Sequence, residues 1–386
     1  MPGTTDSYGA LLPAGAQTYG HDKDVFRNGH MAVNTLAISG GTSTLRYLVS
    51  GTFTGQTGVA LKSDFNQQNL RLNLNYSPVV GLSLRSNSNY INSLTNLPQD
   101  GSNTSGILLG SLRTPPEFDN NKFLEADGVT QRRFASYDNP FWTMEFNTYK
   151  TELTRFIHST GFDYDFLEGL RLSGNVGWDR YNHFNFQRLA VGASATTGRL
   201  GAIGQDRYTN QVINTDLMMT GKYRVTEDIL GTLVLGQQLT FTTRNATGAS
   251  SSSTIPFFDQ IGAGVTRDAG SSRSESRIYS YYGQLTINAW DRLSLTGAVR
   301  RDAGSTFGDE NPVHYYPKAS VAYRLSQESF MQDFKGIVDE FKLRFAWGQA
   351  GRQPGTYSTN NLYGVGGLPD PWGRGTSANR TGQSGI

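Results

Sequence analysis

The sequence predicts an all-β protein, part of an antiparallel transmembrane β-barrel to which this chain contributes about a dozen strands. Three observations predict it. Segments of roughly ten residues alternate apolar and polar side chains, the period of a tilted strand with one greasy and one wet face. Aromatic residues make up 12%, with 19 Tyr and 21 Phe, and Gly adds 45 residues, although only 37% of residues are hydrophobic and mean hydropathy is -0.44. A barrel gives this mixture because every second strand residue faces water while aromatic girdles mark both interfaces; glycine-rich disorder would carry fewer aromatics. Lastly, tight turns alternate with long polar connections, the rhythm of periplasmic turns and extracellular loops.

Taken in order, "VNTLAISG" and "LRYLVSGTFTGQTG" open the pattern. In the second, Leu45, Tyr47, Val49, Gly51 and Phe53 fall on one side and Arg46, Leu48, Ser50, Thr52 and Thr54 on the other. "NLRLNLNYS" sets Leu70, Leu72, Leu74 and Tyr76 against Arg71, Asn73 and Asn75. "LSLRSNSNYI" follows; then "TRFIHSTGFDYDF" groups Phe156, Phe162, Tyr164 and Phe166, and "LRLSGNVGW" groups Leu170, Leu172, Val176 and Trp178 against Arg171, Ser173 and Asn175. "INTDLMMTGKYRV", "TLVLGQQLTF", "IYSYYGQLTIN", "LSLTGAVRRD", "YYPKASVAYRL" and "FKLRFAWGQ" complete the set. Short turns at "GGTST", "SPVVGL", "DFLEGL", "TEDILG" and "NAWDRL" join these segments as hairpins. Between the hairpins lie long polar connections: Asn92 to Tyr149, His183 to Asn210, and Thr242 to Ser276. Ser326 to Phe341 spaces Phe330, Phe334, Ile337 and Val338 as a short amphipathic helix capping the turn side.

Composition excludes several classes. A net charge of +2, from 34 basic and 32 acidic residues, supplies no bulk field for nucleic acid. The absence of cysteine removes thiolate metal sites, disulfides and Cys nucleophiles. No apolar run approaches the roughly 20 residues of a membrane helix, so any crossing is made by strands. "MPGTTDSYGALLPAG" has no basic stretch followed by an apolar core, so either the protein is not exported or its true N-terminus lies upstream.

Chemistry-bearing motifs are missing as well. His21, His30, His158, His183 and His314 show no metal-ligand spacing, and His158 reads as a lumenal polar residue of its strand. "GDEN" at Gly308–Asn311 and "YDNPFW" at Tyr137–Trp142 are candidate cation or sugar loops, for which ordinary acidic turns are the commoner explanation. "IGAGVTRDAG" lacks a third glycine in register for a dinucleotide site, and no GxSxG or Walker sequence occurs. The expectation is a protein that is not an enzyme and holds neither cofactor nor metal.

The same residues resemble a known family. "DVFRNGHMAVNTLAISGGTSTLRYLVSGTFTGQTGVALKSDFNQQNLRLNLNYSP", "FGDENPVHYYPKASVAYRLSQESFM" and "FKLRFAWGQAGRQ" occur in the order of the SusC-like (RagA/SusC-type) TonB-dependent transporters of Bacteroidetes-type outer membranes. The resemblance spans most of the chain and implies a barrel of about 22 strands. It also implies active import of oligosaccharides or peptides, a SusD-like surface lipoprotein as partner, and energy from TonB through a plug. Neither a plug nor the aromatic-ended last strand is recognised within residues 1–386, so the chain reads as an internal barrel section with two unpaired edges.

Binding candidates follow. Loop aromatics Tyr137, Phe141, Trp142, Phe257, Phe258, Tyr363 and Trp372 offer faces for sugar rings or peptide side chains, although packing within loops or a place in the girdle is the commoner role. Arg71, Asn73, Asn75, Arg85, Asn87, Asn89 and Arg171 would line a polar lumen. A passive channel or adhesin-like barrel, or a secreted soluble β-rich binding protein, are the competing readings.

Overall fold

The computed structural model describes residues 12–99, 104–196, 199–307, 312–334, 336–356 and 358, with the backbone of 363–369 and 376–380. Strands β1 (His30–Gly41), β2 (Leu45–Thr57), β3 (Asp64–Tyr76), β4 (Leu82–Leu97), β5 (Thr148–Leu167) and β6 (Leu170–Leu189) lead into β7 (Ala202–Thr226) and β8 (Ile229–Ser252). β9 (Thr266–Ala289), β10 (Leu293–Gly304), β11 (Val313–Arg324) and β12 (Lys342–Gly348) continue one antiparallel sheet of 12 strands in chain order. β1 and β12 are its two edges, and β13 (Tyr363–Pro369) and β14 (Thr376–Arg380) make a separate hairpin.

Register converts the sequence alternation into two continuous surfaces. One transverse row runs Leu45, Tyr76, Leu84, Phe162, Gly174, Leu217 and Gln237 across β2 to β8. Its counterpart on the opposite face runs Arg46, Asn75, Arg85, Gly161, Asn175, Asp216, Gln238, Ser280 and Asp302 across β2 to β10. On the apolar face the greasy run is Leu170 to Trp178 in β6, ended by Arg180, and Tyr279 to Ala289 in β9, ended by Arg277. About ten such residues at 3.3 Å rise and a tilt near 45° cover roughly 25 Å, the height of an outer-membrane apolar band. Aromatic pairs sit at the long-loop end of that band: Phe156 against Trp178 at 5.5 Å and Phe241 against Tyr279 at 6.0 Å, both edge to face. Tyr76, Tyr164 and Tyr223 mark the turn end.

Nothing among the described residues covers the apolar face. Among the described residues buried hydrophobics number only seven, Val25, Ile107, Trp142, Met144, Ala193, Ile203 and Ala289, while Leu36 is 72% and Val49 48% exposed. A soluble sandwich would press a second layer on these side chains. The soluble reading is therefore left without a core, and lipid is the solvent this face fits.

Three expectations need correction. The connections after Leu189 and Ser252 are only 190–201 and 253–265, because β7, β8 and β9 run 25, 24 and 24 residues, far beyond the span of a membrane. Their outer halves are polar on both sides, so hydropathy gives no contrast even though the backbone ladder continues. The described residues of 325–341 hold two 3-10 turns, Leu325–Gln327 and Ser329–Phe334, in place of one amphipathic helix. Gly336 is a poor helix former, and among the described residues no second layer covers an apolar stripe there: Phe330 is 62% and Ile337 86% exposed. His158 lies on the apolar face and not on the polar one, in register with Ser88 and Trp178. There its ring stacks on Phe156, with Ser88 Oγ at 2.8 Å from Nδ1 and Thr160 Oγ1 at 2.9 Å from Nε2, so both polar atoms are satisfied within the belt.

Candidate functional site

The long connection between β4 and β5 folds into a compact platform at the long-loop end of the sheet. α1 (Ile107–Arg113) places Ile107 in a small apolar cluster with Val25 and Met144. α2 (Pro140–Phe146) starts where Asn139 supplies the N-cap, its side chain accepting from the Phe141 amide at 3.0 Å, and where Pro140 occupies the first turn. The Asn139 amide group also donates to the Asn120 and Arg132 carbonyls at 3.0 and 3.1 Å, tying the cap to the preceding loop. The segment before β1 docks on the same unit: His21 contacts Asp24 at 2.5 Å and the Pro115 carbonyl at 3.1 Å.

Asp138 is the hub of this platform. Its fully buried carboxylate accepts from Ser105 Oγ, from the Ser194 amide at 2.8 Å and hydroxyl at 2.7 Å, and from Arg133 Nη1 at 3.3 Å. Loops far apart in sequence thereby share one acceptor. Burial pushes the Asp138 carboxyl above the usual carboxylate range, against the Ser105 and Ser194 hydrogen bonds that favour the anion. Asp127, exposed at a hairpin tip, is held below that range by the Thr130 hydroxyl and the amides of Val129 and Thr130. Asn147 accepts from the Ala190 amide at 2.9 Å, and Arg188 donates to the Phe146 carbonyl at 3.1 Å and to Asp259 at 2.6 Å. Residues from three inter-strand connections are thus one hydrogen-bonded body.

The structure separates the candidate aromatics. Trp142 is 3% exposed, tilted on Phe146 at 5.4 Å, and Phe141 packs half-buried against the Val25 cluster. Tyr137 lies half-buried under the Arg113 guanidinium at 5.7 Å. Phe257 and Phe258 are 81% and 54% exposed and stand beside Trp142 and Phe146 around a cavity of about 140 Å³. Trp372 and Gly308–Asn311 lie outside the described residues, and of Tyr363 only the backbone, opening β13, is described.

The polar candidates do come together. Arg71 faces Asn89, Asn73 faces Asn87, and Asn75 faces Arg85 across β3 and β4. Arg71 Nε donates to Asn73 Oδ1 at 3.2 Å, and Arg85 pairs with Asp163, which also accepts from Ser173 Oγ at 2.6 Å. Arg171 grips Asp165 through two bonds at 2.7 and 2.8 Å. Two further clusters on this wall escape a reading by composition: Arg155 bidentate on Asp179 at 2.9 and 2.5 Å, and Arg300 on Asp302, Gln238 and Ser280 at 2.7, 2.7 and 2.8 Å. Residue parity combined with the register fixed by each tight turn would have found them. The polar face of β1 to β4 carries Arg46, Arg71 and Arg85 and no carboxylate of its own. This is a wall of amides and guanidiniums, suited to hydroxyl, carbonyl or carboxylate groups of a hydrophilic solute. Among the described residues no group of three or more His, Asp or Glu could hold a metal ion.

Residues 99–385 match the family model described as "TonB dependent receptor-like, beta-barrel". TonB-dependent receptor P26 of Formosa agariphila is 25% identical over 337 residues, covering 82% of this chain and 32% of that protein. TonB-dependent receptor SusC of Bacteroides thetaiotaomicron is 22% identical over 378 residues, 90% of this chain and 36% of the relative. The chain thus spans about a third of the length of these curated relatives. Among solved structures, the RagAB peptide transporter superposes with a TM-score of 0.78 at 15% identity, over 95% of this chain and 42% of that one. The ferric citrate transporter FecA gives 0.55 at 10% identity, over 80% and 41%. At such identities the superpositions speak for the fold alone.

Proposed function

Because this chain belongs to the TonB-dependent receptor-like β-barrel family of outer-membrane transporters, we propose that it forms wall and extracellular loops of an active, SusC-like importer of oligosaccharides or peptides. In this reading the apolar face meets the lipid of a Bacteroidetes-type outer membrane, and the Arg71, Asn73, Asn75 and Arg85 wall meets the lumen. Residues 1–386 are then one section of the barrel domain, and TonB acts through a plug contributed by other residues. A SusD-like lipoprotein would hand substrate to the platform, with Tyr137, Phe141, Trp142, Phe257 and Phe258 as its aromatic candidates for contact and Trp372, outside the described residues, as a further candidate from the sequence. Chemistry on the substrate is not part of the role. The observation that carries the reading is the two-faced sheet of 12 strands with its folded loops gathered at one end.

The chain has no cysteine, so single-cysteine variants report topology cleanly. A membrane-impermeant maleimide should label Phe257→Cys on intact cells and Glu168→Cys only after lysis. Labelling of Glu168→Cys on intact cells would sink the assigned orientation. Uptake of labelled oligosaccharide or peptide by cells carrying the protein should stop with a protonophore; continued uptake would favour a passive channel.

A further inference from the structure

The cavity beneath Phe257 and Phe258 is unlike the polar wall, and we propose that it is a subsite for one apolar side chain, aromatic or branched aliphatic, of an imported peptide. The inference rests on the importer reading for the source of the ligand and chooses between that reading's two substrate classes.

Size is the first argument. At about 140 Å³ the cavity falls well below the 300 to 1,000 Å³ of ordinary small-molecule sites, so it accepts a group the size of one side chain. Its lining is the second. Trp142, Phe146, Val191, Ile255, Phe257 and Phe258 form most of the wall. The polar side-chain groups there are those of Thr254 and Arg188 and the Trp142 indole N–H, and the Arg188 guanidinium is already engaged by the Phe146 carbonyl and Asp259. A sugar ring entering this mainly apolar space would strip water from several hydroxyls with too few partners to replace it, whereas a hydrocarbon group has no hydrogen bonds to lose. Backbone conformation is the third argument. Phe257 holds φ at 67°, a left-handed geometry that bulky residues rarely adopt, while its ring stays 81% exposed and meets Phe146 edge to face at 6.5 Å. A strained residue that displays an aromatic ring to solvent beside an apolar hole is shaped for a ligand and not for packing.

The test uses the full chain in lipid nanodiscs, titrated calorimetrically with Ala-Phe-Ala, Ala-Ala-Ala and a neutral hexasaccharide. Two variants accompany it: Phe257→Ala, which removes the lid ring, and Ala190→Leu, which fills the cavity from its wall. Ala-Phe-Ala should bind at least about tenfold tighter than Ala-Ala-Ala, as burial of one aromatic side chain provides. Both variants should shrink that preference below about threefold. Three results overturn the assignment: equal affinities for the two tripeptides, a preference that survives both variants, or hexasaccharide binding that either variant abolishes. Equal tripeptide affinities joined to a Phe257→Ala loss of a co-purifying surface protein would move the cavity to a partner interface. These failures leave the importer reading intact, since that reading stands or falls on maleimide topology and protonophore-sensitive uptake.

Discussion

Adjacent residues of β8 give the sharpest test of which solvent each face meets. Leu235 lies midway along the apolar run from Ile229 to Phe241 and is 44% exposed, while Val234 points to the polar face opposite Thr220 and Gln284. Leu235→Arg would place a guanidinium near the bilayer midplane, a cost of about 2 to 4 kcal/mol for a barrel's lipid face. That shifts the folding equilibrium roughly thirtyfold to nearly a thousandfold. Val234→Arg puts the same group into a wet lumen and should cost less than about 1 kcal/mol. In water the order would differ: Leu235 would be an ordinary exposed residue, and its replacement by Arg would be nearly neutral. Urea unfolding in lipid vesicles, followed by the heat-modifiable gel shift of folded barrels, measures both. Equal stabilities, or a larger loss for Val234→Arg, would refute the assignment of faces.

Other outcomes follow from the platform and the turns. Asp138→Ala leaves Arg133, Ser105 and Ser194 without their shared buried acceptor and should cost the platform about 3 to 5 kcal/mol, seen as faster hydrogen exchange over 104–147 with the strands unaffected; unchanged exchange there would sink the hub. Because burial raises the Asp138 carboxyl, its contribution is full below the unfolded carboxylate value and is lost as pH rises through the raised one, so platform protection, corrected for intrinsic exchange, should fall from pH 4 toward 7, and less so in Asp138→Asn. Asp127 has the opposite sign: its pKa is lowered by Thr130, so it stabilises the hairpin tip above the unfolded value and this support is lost as pH falls through the lowered one; Asp127→Asn should remove that acid-side loss, read by amide exchange at Val129 and Thr130. Gly169 sits at φ 75°, and a Cβ there would collide with the Lys222 carbonyl oxygen; Gly169→Ala should destabilise the β5–β6 hairpin by more than about 1 kcal/mol, and a folded yield equal to the parent's would contradict that geometry.

What could be read from the sequence was what depends on neighbours in the chain. Leu45, Tyr47, Val49 and Phe53 share a face because strand parity is local, and the tight turn at Glu168–Gly169 then fixes which residue of β6 meets which residue of β5. His158 shows how residue type can override parity wrongly: its even number places it with Phe156 and Phe162, yet its polarity suggested the lumen. The site was less legible. Ser105 meets the Ala195 amide at 2.9 Å across 90 residues, and Arg188 meets Asp259 across 71, contacts that no local period encodes. Trp142 and Phe257 look alike in the sequence as loop aromatics; only the fold makes one a buried wall and the other an exposed lid.

The overlong strands connect these two levels. About 11 residues suffice for a tilted strand to cross the hydrocarbon, so more than half of β7, β8 and β9 stands beyond the membrane. Paired backbone continues to Ser252 and from Thr266, which keeps that extension stiff although its side chains bury little. A floppy loop would lose ordering entropy each time it engaged a ligand. Here Phe257 and Phe258 instead rise from the ends of a continuous ladder and are braced sideways by Arg188 on Asp259 and by Phe146. Polar, featureless sequence in β7 to β9 therefore does structural service for the aromatic pair it carries: it raises those rings beyond the apolar band and holds them braced, as the proposed subsite requires.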